Sequence, residues 1–398
     1  MRAIFKKLLS VIRKIIGLPF VIIIVLLSPF VVIRLGLIRS DRIGHFVSDV
    51  EAYLCIQDAK SFQRKEIHII GCPTPTCNTQ ILAMWRRAFR ILPFYRIWSV
   101  LDESCRFWTR SKRYNLQLAE MTNDYYRIPT GKQHLFFEKK ELELGKYILQ
   151  KLGVPIGAPW ICFHNRDPSY IDLTWKTRKS YHDYRNFTIG SMKDAAEELT
   201  RRGYYIVRMG SVTDEPFSTS NYKIIDYSSS SLRSDFMDVF LLANCFAFIG
   251  SDSGISDIPY SFRRPISYVN FSSTLIEIIL KRKLTYPFLI KRLRNKVTGK
   301  LISLQQIYQL GLENVCRTQD FEKAGVEVVD NTSDEIRDLA IEMIERINGN
   351  WVVNAEDKDL QSCFWAVVEK STGSRIKAVN VSSYIGTSFL KKHLDLLG

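Results

Sequence analysis

Six short, mostly apolar runs constrain this chain more than any other feature, because each stops at a glycine or a polar residue and gives way to a helical or polar stretch. They are VVIRLG (31–36), EIHIIG (66–71), WICFH (160–164), YYIVRM (204–209), CFAFIG (245–250) and ISYVN (266–270). Runs of this length read as strands buried on both faces, and strands separated by helical segments are joined by right-handed crossovers into parallel sheets. The expectation is an α/β protein with doubly wound sheets. At 398 residues the chain can bury two such cores, and its 46% apolar, 24% charged composition excludes the disordered and polytopic membrane classes.

Turn formers cluster in GVPIGAP (153–159), directly after a charged amphipathic helical pattern at 138–152. A boundary is expected there. The predicted organisation is a segment 1–29, a first α/β domain 30–152, a second α/β domain 153–350, and a helical C-terminal segment 351–398. Within the second domain the spacing predicts helices over 191–202, 235–243, 255–262 and 333–347, the last capped by Ser333, Asp334 and Glu335. A long polar loop runs to about residue 187.

The first segment carries Lys6, Lys7, Arg13 and Lys14, then an uncharged stretch from Ile15 to Ile33 interrupted by Pro19 and Ser28-Pro29. No small-residue cleavage site follows, so a retained anchor is expected. The apolar part before Ser28 is short for a bilayer crossing, which needs about 20 residues. A monotopic anchor is preferred to a single span, on the cytoplasmic face, where activated nucleotide substrates are found.

Formal charge is +15, and residues 1–150 hold 24 Lys/Arg against 12 Asp/Glu. Between Trp85 and Arg113 these cations alternate with aromatic rings, a pattern suited to an anionic membrane surface. Single-stranded nucleic acid is the rival partner and is set aside because the anchor already brings the chain to lipid. A solvated helix face with a few core aromatics is the plain alternative. A further basic run, KRKLTYPFLIKRLRNKVTGK (281–300), is read as a solvated loop. The eight cysteines form no CxxC pair or Cys/His zinc pattern and are read as reduced core thiols, with Cys72 and Cys77 bracketing a turn. Histidines 68, 134, 164, 182 and 393 lack metal-ligand spacing, so no metal site is expected.

Three constellations could carry chemistry. In Gly250-Ser251-Asp252-Ser253-Gly254 a strand enters a tight loop of small residues and leaves as a helix, which aims backbone N–H groups and the hydroxyls of Ser251 and Ser253 at one point, as a diphosphate requires. An ordinary Gly-containing turn with Ser as N-cap is the competing interpretation. His164-Asn165-Arg166-Asp167 follows another strand, and Arg185, Arg208 and Gly210 follow or end others. Guanidinium groups collected at one sheet edge suit an anionic ligand, although each alone is an ordinary surface ion-pair partner. In the first domain Arg42-Ile43-Gly44-His45 opens a helix on which Asp49 lies one turn on, so its carboxylate can orient the imidazole for proton abstraction. A structural histidine at a helix start is the alternative there.

The motifs RIGHF, HNRD, YRN, VRMG, SDFMDVFLLANCFAFIGSDSGI with FRRP, and SFLKKHLDLL resemble a family of bacterial glycosyltransferases of surface-polysaccharide synthesis, over most of residues 30–398. The resemblance implies a GT-B architecture, with two Rossmann-like domains facing a cleft, acceptor on the first, nucleotide sugar on the second, and a last helix crossing back. His164-x-Arg166-Asp167 is similar to the His-x-Arg motif of fucosyltransferases with a guanosine-diphosphate donor, which implies that Arg166 meets a phosphate. Ser251-Asp252-Ser253-Gly254 resembles the loop under the diphosphate in heptosyltransferases, but Ser256-Asp257 stand where those enzymes usually carry a histidine. The GT-A type of metal-binding DxD after a strand is missing, since Asp357-Lys358-Asp359 lies in a charged C-terminal stretch.

The resulting expectation is a metal-independent GT-B glycosyltransferase without a cofactor, moving a hexosyl or related group from a nucleotide-sugar donor to a lipid-linked or glycan acceptor. Its catalytic candidates are His45, Asp49 and Asp167. Donor binding falls to His164, Arg166, Arg185, Arg208, Gly210, Ser251, Ser253 and Gly254, and the acceptor side to Arg42 and Gly44. The rival is a non-catalytic module that docks on anionic lipid or polymer, with no nucleotide preference.

Overall fold

The computed structural model describes residues 2–59, 65–116, 118–169, 180–371 and 382–398. It divides into two compact units, Met1–Phe137 and Glu138–Gly398. The middle of the polar loop expected before residue 187, positions 170–179, lies outside the described residues.

The first unit is built on a three-stranded parallel sheet of β1 (Val32–Leu37), β2 (Glu66–Gly71) and β3 (Ile91–Leu92) in the order β1-β2-β3. β1 and β2 pair from Val32↔Glu66 to Leu37↔Gly71. Around it are the helices α1 (Arg2–Leu27), α2 (Val50–Asp58), α3 (Thr79–Ala88) and α4 (Tyr95–Thr109).

The N-terminal segment departs from its expected form, because α1 continues through Pro19 as one helix. Tertiary contacts hold it along α4. Ser10 Oγ donates to Glu103 Oε1 (2.5 Å), Trp108 Nε1 donates to the Lys14 carbonyl (2.9 Å), and Ser104 Oγ donates to the Arg13 carbonyl (3.2 Å). Val21 and Ile24 enter a cluster with Leu35, Leu101, Cys105 and Tyr114. The remaining face leaves Phe20, Ile22, Ile23 and Leu26 exposed, and by length and composition Ser10–Leu27 is apolar enough to cross a membrane.

The second unit contains a five-stranded parallel sheet, β4 (Trp160–His164), β5 (Tyr205–Arg208), β6 (Ile224–Asp226), β7 (Ala247–Gly250) and β8 (Ile266–Tyr268). Its order is β6-β5-β4-β7-β8. The chain starts in the middle, builds outward to β6, then returns to the other side of β4. The direction of winding therefore reverses between β4 and β7, whose last pair is His164↔Gly250. In open α/β sheets the crevice outside the carboxyl ends of two such strands is where ligands bind.

Three features of organisation differ from the sequence expectation. The helix α5 (Lys139–Lys151) belongs to the second unit, so the division falls at 137/138 and not at 152/153. Its Gly145 lets the Phe240 ring pack where a Cβ would sit, 2.2 Å from Phe240 Cδ2. The basic run 281–300 is not a solvated loop. Arg282 is buried against Asp257 (2.5 Å), and Lys291 is 2% exposed on the strand Ile290–Asn295. The C-terminal segment packs on its own unit, where Phe364 and Trp365 stand against Phe288 and Lys391 pairs with the buried Asp357 (2.6 Å). The helix Ser333–Ile347 forms as expected, although its capping box is Thr332 with Glu335. None of the eight cysteines forms a disulfide; Cys316 and Cys363 are exposed and so are not core thiols.

Candidate functional site

In the first unit, Gly44 caps a single π-helical turn, His45–Asp49, that runs into α2. Such turns are rare and concentrate at functional positions. Trp85 Nε1 donates to the Phe46 carbonyl (2.8 Å) and fixes the turn from α3. The spacing expected from sequence is realised, with His45 Nδ1 3.0 Å from Asp49 Oδ2. Asp49 is 1% exposed and also accepts from Tyr125 Oη (2.7 Å), so its carboxylate is fixed from two sides. A carboxylate only accepts, so in the neutral imidazole Nδ1 bears the proton and Nε2 the lone pair. His45 keeps 26% of its side chain exposed, enough for a substrate hydroxyl to reach it. Arg42 is more exposed, with its Nε 4.0 Å from Asp41 Oδ2.

In the second unit, the residues that follow β4 and β7 meet at the winding reversal. The Ser251 N–H donates to the His164 carbonyl (3.0 Å) and closes the two strand ends together. His164 Nδ1–H donates to the Met209 carbonyl (3.1 Å). Burial, reinforced by Arg208 and Arg166, pulls the imidazole down to about 4 and keeps it neutral. Asp167 accepts from both the N–H and the hydroxyl of Ser169, and burial together with the nearby Asp214 raises its carboxyl.

The loop after β7 is unusual in what it leaves unsatisfied. Ser253 occupies the N-cap position of the short turn Gly254–Ser256 but makes no capping bond. The hydroxyls of Ser251, Ser253 and Ser273 and the amide nitrogen of Asn270 are buried without a hydrogen-bond partner. A buried polar group left unpaired costs about 1–3 kcal/mol, so several of them at one place point to a ligand that satisfies them. Ser251 and Asn270 line one small crevice together with Arg185, Asp252 and Leu275.

Cations converge on the same place. Arg185 Nη2 bonds the carbonyl of Asp252 and lies 3.3 Å from its carboxylate. Arg166 Nη1 donates to the His182 carbonyl (3.0 Å) and to Asn186 Oδ1, while Lys291 Nζ donates to the Asn186 carbonyl (2.7 Å) and pairs with Asp330 (2.6 Å). Burial lowers the Lys291 ammonium, and Arg166 and Arg185 lower it further. Asp330 beside Lys291 and Asp252 beside Arg185 offset part of this repulsion, and a bound anion would offset more of it.

Arg208 is a correction to the expected donor set. It ends β5 fully buried, bonds the Glu215 carbonyl and Asp226 (3.2 Å), and donates to Asn165 Oδ1 (3.3 Å). It braces the segment that carries Arg166 and cannot itself touch a ligand. Gly210 follows it, where a Cβ would meet Thr213 Cγ2 at 2.8 Å. Asn270 and Lys291 are absent from the expected set. Asn270 follows β8 by two residues, on the sheet edge where Gly250 pairs with Tyr268, and a polar residue just after an apolar run is the signal that could have found it; Lys291 had only a charge run to mark it. Around the histidines, chain spacing shows no metal pattern, yet folding brings Glu51, Cys55 and His134 together.

No family model matches the sequence, and no curated protein matches it. Among solved structures the chain resembles E. coli ADP-heptose LPS heptosyltransferase II, at 15% identity and a TM-score of 0.32, over 59% of this chain and 84% of that one. It also resembles the iron-containing dodecameric glycosyltransferase TibC from enterotoxigenic E. coli H10407, at 15% identity and a TM-score of 0.32, over 61% and 58% of the two chains. E. coli heptosyltransferase WaaC with ADP-2-deoxy-2-fluoro heptose gives 10% identity and a TM-score of 0.27, over 60% and 88%. Likeness at that level transfers neither an activity nor a donor.

Proposed function

We propose that this protein is a membrane-associated glycosyltransferase of the GT-B type that moves a sugar from a nucleotide-sugar donor to a lipid-linked or glycan acceptor in bacterial surface-polysaccharide synthesis. The observation that carries the proposal is the pair of orphaned donors Ser251 and Asn270, which line one crevice with Arg185 at the winding reversal of a parallel sheet, with the orphaned Ser253 hydroxyl in the same loop. Such an edge is built to take an anion with several oxygens, and a diphosphate is the anion a sugar donor carries.

In the proposed step His45 Nε2 takes the proton of the acceptor hydroxyl, with Asp49 holding the imidazolium that results. The acceptor oxygen attacks the anomeric carbon, the bond from that carbon to the phosphate oxygen breaks, and the nucleoside diphosphate leaves with the electron pair. Arg166, Arg185 and the serine hydroxyls stabilise the charge that develops on the leaving group. Asp167 is the second candidate base. The step draws on protein cations and not on a DxD-held ion, because the Asp357 carboxylate is buried against Lys391.

The exposed apolar face of α1 beside the cations of α4 supports attachment to an anionic membrane surface. Val21 and Ile24 are buried in the core of the first unit, which favours a monotopic helix over one that leaves the domain to span the bilayer. The proposed place is the cytoplasmic face of the inner membrane.

The test is release of nucleoside diphosphate from a panel of nucleotide sugars by the full chain in detergent, with bacterial lipid extract as acceptor. One donor should be consumed in an acceptor-dependent way, and Arg166→Ala should abolish its consumption while the far-UV spectrum is retained. Release from none of the donors would leave the docking module as the better account.

A further inference from the structure

Three potential metal ligands of different chemistry meet in the first unit, along the helix that follows the His45 turn. Glu51 and Cys55 lie four residues apart on α2, hence on one face, and His134 is brought to them by the segment after Ile128. One donor atom from each of the three lies within 4.8 Å of the others. Glu51 is fully buried, Cys55 is 4% exposed, and the His134 side chain is 12% exposed.

The surroundings fix these groups in place. The His134 backbone N–H donates to Glu51 Oε1 (3.3 Å). Gly131 allows the loop to press on the thiol, since a Cβ there would stand 2.5 Å from Cys55 Sγ. His134 Nε2 is 3.0 Å from Asp58 Oδ2, so the proton of that nitrogen is held by a carboxylate. Its other nitrogen, Nδ1, faces Glu51 Oε1 at 3.4 Å, and the Cys55 thiol donates to the Lys132 carbonyl (3.6 Å). A ring nitrogen, a carboxylate oxygen and a thiol sulfur thus meet in one buried space.

We infer that Glu51, Cys55 and His134 bind a divalent first-row metal ion, with zinc best matched to the mixed O, S and N donor set, and that Asp58 is the positioning residue for His134. The imidazole, carboxylate and thiolate are borderline donors that zinc accepts together in a tetrahedral site, and a carboxylate on the remote nitrogen is the usual support of a metal-bound histidine. Zinc ligand distances are about 2.0–2.3 Å, so the widest pair has to close by about 1 Å on loading. Binding deprotonates the Cys55 thiol and releases its proton to solvent. The ion ties α2 to the segment that carries His134 and has no part in the transfer step.

The rival occupant of the space is a single proton on His134, which pairs with Glu51 and needs no metal. Elemental analysis of the full chain, purified without chelator, separates the two and should find about one metal ion per molecule. After chelator treatment, one equivalent of Co²⁺ should give a thiolate-to-cobalt charge-transfer band that Cys55→Ser removes. Asp58→Ala should weaken Zn²⁺ binding about 10–100-fold in chelator competition while the band stays. Sub-stoichiometric metal together with an unchanged melting temperature of the wild-type chain on adding Zn²⁺ would overturn the assignment and leave the proton as the sole cation. So would a cobalt band that persists in Cys55→Ser, because the exposed Cys316 and Cys363 would then be the ligands.

Discussion

The two units treat the same side chain in opposite ways. In the first, histidines are met by carboxylates: His45 by Asp49, His68 by Glu66 (3.0 Å), and His134 by Glu51 and Asp58. Burial alone would depress His134, but its hydrogen bonds to Cys55 and Glu51 and the charge of Asp58 raise it to about 10. In the second, His164 stands among guanidinium groups and a carbonyl, and is pulled down to about 4. The first unit sets carboxylates against its imidazoles, and at His134 this favours the protonated ring. The other keeps its imidazole neutral and gathers positive charge and unpaired hydroxyls at a sheet edge, which is an arrangement for holding an anion. The proposed transfer calls on both arrangements.

The largest effect expected from disturbing this contrast is at His45. Replacing it by Ala should lower transfer by about 10²–10⁴-fold, the range for loss of a general base, while leaving nucleotide binding unchanged. Steady-state transfer assays with a parallel binding isotherm check both halves. An equal loss of donor affinity would mean that His45 belongs to the anion-holding function.

Arg208→Ala should act on stability. It breaks the buried ion pair to Asp226, which keeps only the Phe217 N–H and the Ser228 hydroxyl, and removes the donor to the Glu215 carbonyl, at a cost of about 3–5 kcal/mol read by urea unfolding. A variant as stable as wild type that had lost donor binding would restore Arg208 to the ligand site.

A smaller effect is expected from pH. The folded state holds His164 at about 4, below the ordinary value of 6.5, so the unfolded chain takes up its proton first as the solution is acidified. The contribution of His164 to stability is therefore complete above about pH 6.5 and is lost as pH falls toward 4. His164→Asn should flatten that part of the stability curve relative to wild type, and urea midpoints from pH 7 to 4 measure it. Parallel curves would show that the imidazole is solvated in the native state.

The strand series was legible because apolar runs alternating with helices admit few topologies, and the β4–β7 reversal follows from their order. The His45–Asp49 pair was legible because an i, i+4 spacing survives the change from an α-turn to a π-turn. Arg208 was not, since its burial depends on Glu215 and Asp226, which come from other parts of the chain. Nor was the allegiance of α5. An amphipathic helix declares that it has a buried face and says nothing of which core receives it; the Phe240 ring against Gly145 decides that. Lys291 was hidden in a run of eight Lys/Arg within 281–300, where one-dimensional charge density cannot separate a buried ammonium from solvated ones.

The central claim is that the edge of the second unit's sheet holds a diphosphate. Calorimetric titration of the full chain with ADP, GDP, UDP and CDP, repeated on Arg185→Ala, tests it most directly. The account predicts one-to-one binding that favours one base and weakens about 10–100-fold in the variant, as expected for removal of a charge-assisted contact. Heats indistinguishable from dilution for all four nucleotides, or affinity unchanged by Arg185→Ala, would contradict it.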